Sequence, residues 1–181
     1  MERHVMTITR RSVLSGTCAA VAGAAANSVL ADDDAGQDGP TFHMTPIGRV
    51  EISGSSKVLR IEPKFQPGLL GLDGYSHVVV LYWFDRNDTP AKRQVLQVHP
   101  RGNKKNPLTG VFACRSPFRP NLIALTVCRI LAVEGGAVKV ENIDAFDKTP
   151  ILDLKPYIPA IDSAEQVRMP DWVTGKKEPP K

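Results

Sequence analysis

Two arginines set among prolines make "RSPFRPN", Arg115 to Asn121, the stretch of this sequence that most suggests chemistry. Ser116 and Arg119 each precede a proline, which pushes both toward extended backbone, while Pro117 and Pro120 fix their own φ. Holding Arg115 and Arg119 in one geometry therefore costs less conformational entropy than it would in a free loop. Guanidinium groups in a set place, with backbone donors beside them, suit a planar base or an anionic group. A rigid turn whose arginines pair with surface carboxylates is an equal reading of the same residues. Further on, "NIDAFDKTPILDLKPY" gathers acids, among them Asp144 and Asp147.

Other chemistries find no footing. "GLLGLDG" spaces its glycines as GxxGxxG without a Lys-Ser/Thr ending, so it reads as a turn and not a phosphate loop. His43, His77 and His99 lie far apart with no Cys, His or Asp partner at ligand spacing, which argues against a metal. There is no G-x-S-x-G elbow and no βαβ dinucleotide pattern.

The elements that must position these residues are short apolar runs cut by turns. "IGRVEI" (47–52) and "KVLRI" (57–61) flank "SGSS", a hairpin turn. "HVVVLYWF" (77–84) is continuously apolar and β-branched, which predicts a strand covered on both faces. "NLIALTVCRILAV" (121–133) and "AVKVENI" (137–143) are joined by Gly135-Gly136, a second hairpin. "PILDLKPYIP" sets Ile151, Asp153 and Lys155 against Leu152 and Leu154, with prolines that confine it to an edge or rim and an Asp153–Lys155 ion pair on one face. No window carries a strong helical stripe. Five or six strands with little helix predict an all-β domain, a small antiparallel barrel or sandwich, of which the closed barrel removes sheet edges most economically.

The ends of the chain read differently. "TRRSVLSG" places Arg10 and Arg11 ahead of an Ala-rich apolar run that ends at Ala31, the pattern of a twin-arginine signal peptide over 1–31. The run is broken by Gly and Ser and predicts no stable membrane span. Residues 32–43 read as a solvated linker, 44–163 as the folded domain and 164–181 as a tail from which Trp172 docks on the body. Without the leader the net charge falls to +2, too balanced for nucleic-acid binding by bulk charge. A local cluster, Lys92, Arg93, Arg101, Lys104 and Lys105, is either a phosphate contact or a solvated loop. Cys114 and Cys128 read as buried thiols, with a bridge open to them only if adjacent.

Taken together, "GVFACRSPFRPNLIALTV" (110–127), "DAFDKTPILDLKPYIP" (144–159), "GYSHVVVLYWF" and "VHPRG" resemble the TsaA-like family. Its best-understood members are S-adenosylmethionine-dependent methyltransferases that N6-methylate threonylcarbamoyladenosine beside the tRNA anticodon. The resemblance spans about Pro46 to Asp162 and implies a closed β-barrel that forms homodimers. Carried over residue by residue, it implies cofactor contacts at Asp85, Arg86, Arg115, Leu125, Glu141, Asn142, Ile143 and Asp144, with Leu125 and Phe112 as an apolar wall. Arg119 and Asn121 look like motif residues that either shape this pocket or bind the substrate base, and a carboxylate that takes the N6 proton would be Asp144 or Asp147, for which turn-capping is the other reading. Family members carry a Pro-Arg-Gln loop between the first two strands; here "SGSS" joins them almost directly, and Glu141, Ala124, Lys148 and Leu122 stand where the family has glycines or a proline. Two function classes follow: a cytosolic tRNA-modifying methyltransferase, or an exported, non-catalytic barrel that binds a nucleoside-like ligand.

Overall fold

The computed structural model describes residues 42–174; the leader expected over 1–31, and all but the end of the linker, lie outside the described residues. Six strands close into one antiparallel barrel in the order β1-β2-β7-β6-β3-β8. They are β1 (Gly48–Ser53), β2 (Ser56–Ile61), β3 (His77–Trp83), β6 (Ile123–Glu134), β7 (Ala137–Glu141) and β8 (Pro150–Pro156). Two short strands, β4 (Gln97–Val98) and β5 (Thr109–Gly110), pair apart from it. Among the described residues helix is short: α1 (Pro90–Arg93), α2 (Pro159–Asp162), α3 (Asp171–Thr174) and several 3-10 segments, the longest Pro63–Leu69.

Alternation decides what enters the barrel. Val50, Leu59, Val78, Val80, Cys128, Val138 and Ile151 point inward and are sealed from solvent. Both glycine-marked hairpins form, with Gly54 at φ 57 and Gly135 and Gly136 at φ 55 and 73. At Gly48 a different demand applies, because an added Cβ would lie 2.1 Å from the Arg60 carbonyl oxygen across the β1–β2 pair. Only glycine allows the strands to approach so closely.

Two readings of the strands need correction. In β3 the inward Val78, Val80 and Tyr82 are buried, and on the outer face Val79 is buried as well, but Leu81 and Trp83 are only half-buried, so the cover on that side is partial. β8 is not an edge: it pairs with β3 and, through Gly48↔Ile151 and Arg49↔Pro150, with β1, so its prolines sit at its two ends. Its alternation also slips. A register shift opposite Leu81 and Tyr82 sends Ile151 into the core together with Leu154, while Asp153 and Lys155 face out and pair at 2.7 Å.

Candidate functional site

The C-terminal end of β3 opens into a cavity of about 210 Å³. Tyr82, Trp83 and Phe84 form its floor and wall, and the 3-10 turn Asp85–Asn87 continues the rim. Arg115 and Pro117 enter from the proline-rich loop, and Asp144, Ala145, Phe146 and Thr149 from the segment between β7 and β8. Three chain segments, far apart in sequence, meet here because β3 lies between β6 and β8 in the barrel.

Tyr82 ties two of these segments together. Its buried hydroxyl donates to the Asp144 carbonyl oxygen, so the proton it receives in turn comes from Thr126 Oγ1, 3.1 Å away on β6. Burial raises the phenol above its ordinary pKa, so it stays protonated and keeps donating. Arg115 is braced by one N–H to the Leu125 carbonyl at 3.3 Å, leaving its other donors free for a ligand. Across the mouth the Arg86 guanidinium stacks 4.0 Å from the Phe146 ring centroid.

The proline-rich loop is clamped from behind. Arg93 in α1 donates to the Pro120 carbonyl at 2.9 Å and to Asp88 at 2.8 Å, and Trp83 Nε1 donates to the other Asp88 oxygen at 3.0 Å. Those two donors hold the Asp88 carboxyl below its ordinary range, so it remains charged and the clamp remains closed. Ser116 Oγ accepts from the Phe118 amide, and Arg119 donates to the Val111 carbonyl at 3.0 Å. Among the described residues no carboxylate pairs with Arg115 or Arg119.

Of the residues singled out above, Asp85, Arg86, Arg115 and Asp144 line this one cavity. Leu125 reaches it only through its carbonyl, its side chain lying on the outer face of β6. Glu141 and Asn142 border a separate depression beside Ser55 and Lys57, and Glu141 approaches Arg129 at 4.0 Å. Ile143 is buried in the core, its carbonyl accepting from Lys57 at 3.0 Å. Asp147 turns away and accepts the Ile52 amide at 2.9 Å. Arg119 braces the loop, Asn121 is exposed, and Phe112 stands in solvent, so the apolar wall is built by Trp83, Phe84 and Phe146 instead. Tyr82, Trp83 and Phe146 went unnoticed in the sequence, where the only signal was aromatic residues clustering at a strand end and in the acidic turn.

The basic cluster divides: Lys92 and Arg93 belong to the clamp, while Arg101, Lys104 and Lys105 are exposed in the 99–106 turn. Cys114 and Cys128 are both free thiols.

Comparison with known proteins agrees with this architecture. The chain is 42% identical over 121 residues to a protein of Methanocaldococcus jannaschii named "probable S-adenosyl-L-methionine-binding protein", covering 67% of this chain and 96% of that one. It is 44% identical over 102 residues to the human tRNA (adenine(37)-N6)-methyltransferase, but those cover 56% of this chain and only 22% of the human protein. The solved structure of TrmO from Pseudomonas aeruginosa superposes with a TM-score of 0.55 at 29% identity, over 71% of this chain and 62% of that one. The described profile of the tRNA-methyltransferase O N-terminal domain matches residues 41–163, more than half of the sequence. The chain belongs to the tRNA-methyltransferase O N-terminal domain family.

Proposed function

We propose that this chain binds S-adenosylmethionine in the cavity at the end of β3 and methylates the N6 amino group of an adenosine in tRNA. The observation that carries the reading is the convergence of Asp85, Arg86, Arg115 and Asp144, from three separate segments, on one cavity. The residues fit the cofactor chemically: carboxylates suit a sulfonium and ribose hydroxyls, the Arg115 fork suits an amino-acid carboxylate, and the aromatic wall suits adenine. At about 210 Å³ the cavity seats part of such a molecule, the rest lying across the open rim.

When bound, S-adenosylmethionine supplies an electrophilic methyl group. The protein's share is position and proton: the braced Arg115 and the tethered Asp144 hold the reactants in line, and the Asp144 carboxylate takes the proton that the amino nitrogen sheds. Tyr82 fixes the backbone from which Asp144 projects. A homodimer, joined through the apolar outer face of β3 and β6, belongs to the same proposal.

Isothermal titration of the purified chain with S-adenosylmethionine tests it. Saturable binding is expected, weakened roughly 10- to 100-fold by Arg115→Ala, the worth of one charged hydrogen-bonding group. Absence of binding to the folded protein rejects the proposal. So does recovery of a mature chain beginning near Asp32 outside the cytosol, where the twin-arginine leader would send it away from both tRNA and cofactor.

A further inference from the structure

A second and larger cavity, about 660 Å³, lies against the same proline-rich loop and shares Arg115 and Pro117 with the first. Its volume falls within the range of sites that bury small organic ligands. Phe118 from the loop and Trp172 from α3 give it aromatic walls. Arg101 and Arg115 are its cations, and among the described residues no aspartate or glutamate lines it. Lys104 and Lys105 are exposed in the turn beside Arg101. The two neighbouring cavities thus differ in balance: the first sets Asp85 and Asp144 against Arg86 and Arg115, and the second holds arginines and flat apolar faces without a described acid.

Two further details belong to the second cavity. His99 Nδ1 lies 2.8 Å from the Asn106 carbonyl, which can only accept, so Nδ1 carries the proton and Nε2 is left as the ring's acceptor. An exocyclic amino group is a suitable donor to it. Arg101 is held at φ 60, a conformation that L side chains seldom adopt and that commonly marks a working residue.

We infer that this second cavity takes a nucleobase of a single-stranded RNA, stacked on Trp172 and Phe118, with the adjoining phosphate on Arg101 and the neighbouring lysines. Aromatic walls accept any base face, and a cationic, acid-free rim accepts the phosphate that an isolated apolar ligand would not need. The inference rests on the proposed RNA-modifying function. It places the RNA strand beside the acid-lined cavity, with the Arg115–Pro117 backbone as the shared wall.

The chain's two tryptophans fall one to each cavity, Trp83 in the first and Trp172 in the second, which makes the two readings separable. In the Trp83→Phe chain, titration with a short adenosine-containing single-stranded RNA is expected to quench Trp172 to saturation. RNA retention by the unaltered chain on a filter should persist in excess S-adenosylmethionine, and the Trp172 quench should weaken with added salt and shift to about tenfold higher RNA concentration in Phe118→Ala. Arg101→Gly should weaken it similarly, and glycine accepts φ 60, so that loss is not misfolding. An unresponsive Trp172, displacement of RNA by S-adenosylmethionine, unchanged affinity in Arg101→Gly, or emission that follows protein concentration alone would each overturn the inference, the last because a second copy then covers the cavity. Failure of the cofactor reading shows separately, as a silent Trp83 when Trp172→Phe is titrated with S-adenosylmethionine.

Discussion

Three positions separate Asp144 from Asp147, and the turn between them sends the two carboxylates to different tasks. Asp147 accepts the Ile52 amide and fastens the turn to β1, whereas Asp144 lines the cavity with its own carbonyl held by Tyr82. Asp144→Asn keeps the shape and removes the proton acceptor, so single-turnover methyl transfer at saturating cofactor should fall about 100-fold or more with the melting temperature nearly unchanged. Asp147→Asn should do the reverse, lowering stability by about 1 kcal/mol while sparing the rate. Cys128 makes a prediction in pH. Burial inside the barrel pushes its thiol from 9.0 up to about 11. Between those values the unfolded chain gives up the proton and the folded chain keeps it, so stability is full below pH 9 and declines as pH rises toward 11. Denaturant titrations of Cys128→Ala should show a flatter decline, the remainder belonging to Tyr82, whose raised pKa acts in the same direction. At this scale the arginines were legible in the sequence because prolines fix their backbone locally. Tyr82 and Phe146 were not, since only barrel closure brings a strand end against a distant turn; nor was the dispersal of "ENID", because Asn142 at φ 62 reverses the chain and turns successive side chains to different surroundings.

Strands announce themselves by their turns more reliably than by their neighbours. The turn residues, "SGSS" and Gly135-Gly136, predicted both hairpins, and the structure forms them as antiparallel pairs β1–β2 and β6–β7. β8 misled because its alternation is interrupted by a shift that depends on β3, and no residue of "PILDLKP" records its partner's register. Gly48 shows how tightly one such pair is made. Gly48→Ala would drive a methyl group into the Arg60 carbonyl, so the β1–β2 pair must part. A loss of roughly 1–3 kcal/mol in equilibrium unfolding is expected, with the β1 amides exchanging fastest of the strand amides in the variant.

Across the whole molecule, the barrel leaves part of one side apolar and exposed. Leu125 and Val127 of β6 are each 41% exposed, beside the half-buried Leu81 of β3, and the exposed Arg129 separates them from Leu131. An apolar patch of this kind suits association, and the dimer proposed above would use it. Val127→Lys would place a charge at its centre, and sedimentation velocity should then find a monomer where the unaltered chain sediments as a dimer. The overall architecture was legible because many short strands without helix leave few ways to bury their edges, whereas the partial exposure of β3 was not, since its apolar run does not record that Leu81 and Trp83 are only half-covered on the outer side. The barrel's closure also has a weakest line. β3 and β6 pair along the whole of β3, from His77↔Arg129 to Trp83↔Ile123, but the ladder between β1 and β8 is short, Gly48↔Ile151 and Arg49↔Pro150, continued by backbone bonds from Val50 to Thr149 and from Lys148 to Val50. Pulled apart by force, or trapped half-made during synthesis, the cylinder would unroll along that join into a flat sheet, exposing the very strand borders that closure exists to hide.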